Sequence, residues 1–110
     1  TGVYHFTMAL MNHNAEHCGV VDEHNKARDW AEAQLHASAD WGIGLSFLQA
    51  GVYLWLNFHT VHHLFPLTDF CHHPAIQSIL VKTCEEFDVK YVAGHPGEIY
   101  MQMVRNFATP

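Results

Sequence analysis

His59, His62 and His63 lie at i, i+3 and i+4 within Asn57-Phe58-His59-Thr60-Val61-His62-His63-Leu64-Phe65-Pro66. On a helix such spacings stack side chains within about 100° of one face. Neutral imidazole binds iron, zinc, copper and nickel well, so three converging rings make a transition-metal site. A lone histidine more often caps a helix or fills a polar seam. Here the chain carries 11 histidines, and no Asp, Glu, Lys or Arg stands between Asp40 and Asp69. The pattern reads as ligation. His13 and His17, spaced i, i+4, offer a second pair of ligands from one helical face. Residues 13–17 also spell His-x-x-Glu-His, the inverted zinc-peptidase pattern, with Glu16 as base and Glu85 or Glu86 as an acidic third ligand. So short a pattern arises easily by chance in a histidine-rich chain and ranks second. His72 and His73, just before Pro74, read as a turn rather than as ligands.

The segment from Leu56 through Pro66 resembles the third histidine box of the membrane fatty acid desaturases. Asp29-Trp30-Ala31-Glu32-Ala33-Gln34-Leu35 resembles the Trp-x-x-x-Gln stretch ahead of that box. Residues 74–91 resemble the helix and short strand that close the desaturase domain, so the likeness runs roughly over residues 11–91. One departure stands at His59, where desaturases acting on the carboxyl side of an existing double bond often carry Gln, and it leaves the subgroup open.

The resemblance implies a di-iron centre held by three histidine boxes, with O2 as co-substrate and a cis double bond placed in the acyl chain of a lipid or acyl-CoA. It implies His59, His62 and His63 as iron ligands, with His13, Asn14 or His17 completing the shell. Asn57 would orient a ligating ring, and Trp30 and Gln34 would line the approach of substrate. His36, in the same region, reads as surface packing. Cytochrome b5 or a ferredoxin would deliver electrons. The setting would be an integral membrane protein of the endoplasmic reticulum, or of a plastid membrane, with the histidines facing the cytosol. An acyl hydroxylase or acetylenase would use the same ligands. A fragment that binds metal without turnover is the non-enzymatic alternative.

At 110 residues the chain is one domain at most. It starts at Thr1 inside an apolar run over residues 3–11 and has no second HxxHH or HxxxHH, which reads as a C-terminal fragment. A net charge of −6 with five Lys plus Arg provides no basic stripe, which argues against nucleic acid. Three scattered cysteines without CxxC point to a reducing environment rather than a disulfide framework. Mean hydropathy is −0.05, not that of a polytopic membrane chain as a whole. Residues 42–58 fall short of the ~20 needed to span a bilayer and read as a buried or interfacial helix. Residues 1–11 read as the tail of a membrane helix.

The elements that must position these residues read as all-α. A first helix runs over residues 3–17 and ends at Gly19. After a polar loop, Asp22 or Asn25 caps a helix over residues 27–37, with Trp30 and Gln34 on one face. Residues 41–58 form a broken aromatic element punctuated by Gly42, Gly44 and Gly51. Pro66 stops the box helix. A helix over residues 74–87 turns Ile76, Ile79, Leu80, Cys84 and Phe87 inward. Residues 89–92 are extended, 93–97 turn, and a last helix over 98–107 buries Ile99, Met103 and Phe107. The organisation expected is a membrane-helix end (1–17), cytosol-facing helices with the box (18–66) and a C-terminal cap (67–110).

Overall fold

The computed structural model describes residues 2–15, 18 and 29–109. Its helices are α1 (Gly2–His13), α2 (Trp30–Ala37), α3 (Phe47–Val52), α4 (His59–Leu64), α5 (His73–Glu86) and α6 (Pro96–Ala108). Short 3-10 turns at Leu56–Phe58 and Phe70–His72 lead into α4 and α5. The fold is thus mostly helical, as its patterning implies. One feature departs from an all-α chain: β1 (Asp40–Trp41) and β2 (Ala93–Gly94) pair in parallel, Asp40 opposite Ala93 and Trp41 opposite Gly94. This ladder fastens the middle of the chain to the extended run just before α6.

The core forms where α1, β1 and α6 meet, from Met11, Ala15, Ala39, Trp41, Ile99 and Met103. Trp41 is wholly buried, and its Nε1–H donates to Asn12 Oδ1 at 2.6 Å. A buried indole N–H needs such an acceptor, and Asn12 at the end of α1 supplies it. The Tyr53 ring meets Trp41 edge-on, with centroids 5.0 Å apart. No helix among the described residues is long and apolar enough to cross a membrane.

Several boundaries differ from the expected ones for local reasons. Helix α1 ends at His13, with Asn14 and Ala15 already outside it, and the Asn12 carbonyl is taken by the Ala39 N–H at 2.9 Å; Glu16 and His17, where the helix was expected to end, lie outside the described residues. The cap of α2 is Asp29, whose Oδ1 accepts from Glu32 N at 3.0 Å, so neither Asp22 nor Asn25 is needed there. In the aromatic stretch, Ser46 and Gln49 form a reciprocal capping box that starts α3. The break that follows falls not at a glycine but at Leu54 and Trp55, both left-handed with φ of 58° and 54°. Two such residues in sequence are strained, and packing holds them: the Trp55 ring packs against Phe47 and Phe70, centroids 5.3 and 6.4 Å away.

Pro66 and Pro74 act as their chemistry dictates, one beyond the end of α4 and one in the first turn of α5. The buried face of α5 is a correction. His73, Gln77 and Cys84 point inward, while Ile79 and Phe87 are exposed. Likewise α6 buries Ile99 and Met103 but leaves Phe107 exposed. Polar side chains therefore occupy the interior beside α4, where Ser38, Asp40, Asn57, Thr60, His73 and Gln77 are all buried.

Candidate metal centre

Helix α4 places His59 and His63 one turn apart on one face. The end of α1 brings His13 against them. His59 Nε2 lies 2.9 Å from His13 Nε2 and 3.0 Å from His63 Nε2. The ring centroids of His13 stand 4.7 Å from His59 and 4.9 Å from His63. Among the described residues, these three histidines form the group whose ligand atoms converge within 4.8 Å.

The protonation pattern decides what the cluster can hold. His13 Nδ1 lies 2.8 Å from the Ala37 carbonyl, and His63 Nδ1 lies 2.8 Å from Gln34 Oε1. Both partners are acceptors, so each Nδ1 carries the proton and each neutral ring presents a lone pair at Nε2. A single proton on His59 Nε2 cannot point at both neighbours. A cation among the three nitrogens satisfies all of them. At a metal–nitrogen distance of about 2.1 Å, ligands at right angles stand about 3.0 Å apart and tetrahedral ones about 3.4 Å. The separations of His59 from its two neighbours, 2.9 and 3.0 Å, match the right-angled arrangement, while the three ligand atoms together spread over as much as 4.8 Å.

Burial keeps the His59 and His63 rings neutral. The His59 pKa is pushed down to about 3, first by burial and then by the neighbouring His63, His13 and His62. His63 is lowered by burial, with His13 and His62 adding to it. Neutral imidazole is the form a metal binds. The donor set fits iron as well as other first-row metals.

The remaining expected residues fall as follows. His62 stands to the side of the cluster, its ring 5.9 Å from His59, 6.1 Å from Phe70 and 6.3 Å from His73. Asn14 donates its amide N–H to the Leu10 carbonyl at 3.1 Å. Glu16 and His17 lie outside the described residues. Trp30 is exposed at the start of α2, whereas Gln34, one turn on, faces His63. His36 sits 3.9 Å from Glu32 on the same helix. Asn57 is fully buried, and neither of its amide atoms has a hydrogen-bond partner. His73 is also buried, with Nε2 3.3 Å from the Thr68 carbonyl. An open groove of about 280 Å³ between α2 and α5 touches α4 only at Leu64, so it is separate from the histidine cluster.

The residues that sequence reading missed surround Thr60. Asp40 Oδ1 accepts from Thr60 N at 2.7 Å, and Oδ2 accepts from Tyr91 Oη at 2.5 Å. Ser38 Oγ sits 3.1 Å from Thr60 Oγ1. Burial raises the Asp40 pKa to about 6 against the lowering effect of its Tyr91 and Thr60 bonds. Tyr91 is raised, by burial first and then by Asp40. The only sequence signal was a carboxylate set between Ala39 and Trp41.

Comparison with known proteins identifies a family. The sequence profile described as fatty acid desaturase matches residues 1–95. The chain is 40% identical over 73 residues to the chloroplastic acyl-lipid (7-3)-desaturase of Chlamydomonas reinhardtii, covering 64% of this chain and 13% of that protein. It is 45% identical over 64 residues to the acyl-lipid (8-3)-desaturase of Physcomitrium patens, covering 58% and 13%. With the sn-1 linoleoyl-lipid 6-desaturase of Arthrospira platensis it shares 36% identity over 87 residues, covering 74% and 23%. The chain thus spans less than a quarter of the length of these relatives. No solved structure matches it significantly. A profile match over most of the chain, falling on the stretch that gathers His13, His59 and His63, shows that the chain belongs to the fatty acid desaturase family.

Proposed function

We propose that these residues form part of the metal centre of a membrane acyl-lipid desaturase, with residues 56–66 as its third histidine box. The observation that carries this reading is the convergence of three Nε2 lone pairs from α1 and α4. Iron bound there supplies the oxidising power that O2-dependent removal of hydrogen from an unactivated methylene requires. The chain's own part is to keep His59 and His63 neutral by burial, fix the tautomers of His13 and His63 through Ala37 and Gln34, and exclude water from His59. Further ligands would come from His62, from Asn14 or His17, and from two further histidine boxes.

The relatives are named for acyl-lipid substrates, which favours an acyl chain carried on a lipid over acyl-CoA. Cytochrome b5 or a ferredoxin is the electron donor that fits this chemistry. A membrane setting, endoplasmic reticulum or plastid, is supported by the apolar faces of α1 and α3. Val3, Phe6, Phe47, Leu48 and Val52 are exposed there. Tyr4 Oη donates to the Val52 carbonyl, so the two faces adjoin.

The desaturase assignment is tested by expressing the intact protein that carries these residues and analysing acyl chains for new cis double bonds. Loss of product in His59→Ala, with the protein still in the membrane, supports it. Normal product and iron content in that variant overturns it. A hydroxylated or acetylenic product would assign the related oxygenase chemistry to the same ligands.

A further inference from the structure

Helix α4 carries two of the three clustered histidines, yet it is only six residues long and has no side-chain cap of its own. So short a helix has little intrinsic stability, and its first N–H groups need acceptors. We propose that Asp40 is a positioning residue for the metal centre, holding α4 through the Thr60 N–H so that His59 and His63 stay in ligating orientation. This inference rests on the metal reading above.

Four groups within seven residues grip the histidine cluster. Gln34 holds the His63 ring and the Ala37 carbonyl holds His13. Ser38 meets the Thr60 hydroxyl, and Asp40 takes the Thr60 N–H. Gln34 and Asp40 thus fix α4 at two points one turn apart, which sets its rotation about its own axis. Small rotations matter, because the Nε2 atoms meet at 2.9 and 3.0 Å.

Asp40 is itself fixed through its backbone and through Oδ2. Its backbone N–H donates to the Val92 carbonyl at 3.0 Å, in line with the β1–β2 ladder. Tyr91 occupies Oδ2, and Gln77 Nε2 donates to Tyr91 Oη at 3.3 Å. A fully buried carboxylate is expensive to desolvate, and an apolar residue there would serve packing alone as well or better. What an apolar residue cannot do is accept the Thr60 N–H. The anchor therefore carries the position of α5 and the strand before α6 into the histidine helix.

The test uses the intact protein with three variants: Asp40→Leu, Asp40→Asn and Tyr91→Phe. Ferrous iron affinity is measured by competition with a chelator, and the cobalt(II)-loaded protein reports ligand geometry through its visible absorption. Far-UV circular dichroism of the metal-free proteins checks folding. Asp40→Leu is expected to lose about tenfold or more in affinity and to shift the cobalt bands, in the range seen when partners of ligating groups are removed. Asp40→Asn keeps an acceptor for Thr60 and should remain close to the parent. Tyr91→Phe removes one hydroxyl and should shift the bands with a several-fold loss, and it decides the matter if Asp40→Leu does not fold. Unchanged affinity and bands in Tyr91→Phe and Asp40→Leu, while His63→Ala loses metal, would overturn the anchor and leave the metal centre standing. Asp40→Asn behaving like Asp40→Leu would also overturn it. Absence of bound metal in the parent protein itself would remove both readings.

Discussion

Gln34 Oε1 accepts the Nδ1–H of His63 across 2.8 Å, joining α2 to the histidine helix. The contact fixes the His63 tautomer, so Nε2 is left as a lone pair aimed at His59. Gln34 was expected at the approach of substrate, and in the structure its side chain contacts the His63 ring.

The two roles separate kinetically. Removal of the acceptor in Gln34→Ala should weaken metal binding by about 10- to 100-fold, the usual loss for a partner that orients a ligating histidine. Gln34→Glu keeps an acceptor and should retain metal. If KM for the acyl lipid rises while metal content is unchanged, Gln34 contacts substrate rather than governing His63.

His62 is set apart from the clustered nitrogens, so its loss should differ from that of its neighbours. His13→Ala, His59→Ala and His63→Ala are each expected to abolish iron at the described cluster. His62→Ala should leave that cluster able to bind metal yet stop desaturation, because His62 would serve a second iron. Iron per protein, measured beside product formation, checks this. Equal loss of all iron in His62→Ala would place His62 in the same site.

The metal-free protein should lose stability on acidification. His59 has a pKa of about 3 when folded against 6.5 for the free side chain, so between these values the unfolded chain binds a proton that the folded one refuses. Stability contributed by neutral His59 is therefore full above about pH 6.5 and falls as pH drops. Asp40, raised from 3.8 to about 6, acts with opposite sign, since the folded state takes its proton first. Asp40→Asn should steepen the decline between pH 6 and 4. Urea denaturation at several pH values measures both slopes, and a shallower decline in the variant would contradict the assignment.

Asn12→Ala should destabilise the fold by about 1–3 kcal/mol, because it strands the buried Trp41 Nε1–H. The same change removes the side-chain amide N–H that donates to the Met8 carbonyl within α1. Equilibrium denaturation provides the value. A change below about 0.5 kcal/mol would show that Trp41 finds another acceptor.

Local periodicity and punctuation were legible in the sequence. The i, i+4 spacing of His59 and His63 alone places them on one helical face. The ring of Pro66 and that of Pro74 set one helix end and one helix start by their own covalent geometry. Ser46 and Gln49 carry capping-box spacing as well, a start signal for α3 that the reading of residues 41–58 as one broken aromatic element passed over.

Long-range partners had no such signal. His13 and His59 are separated by 46 positions and meet only because α1 packs beside the 3-10 turn that precedes α4. Asp40, Thr60 and Tyr91 share no motif, and parallel pairing of β1 with β2 brings them together. The inward face of α5 was misread for the same reason. Hydrophobicity favoured Ile79 and Phe87, but the neighbouring interior is polar and takes His73 and Gln77. Chain chemistry decides which residues can ligate and where helices stop. Which of those residues share one site depends on tertiary contacts, because a metal centre is defined by distances that no local pattern encodes.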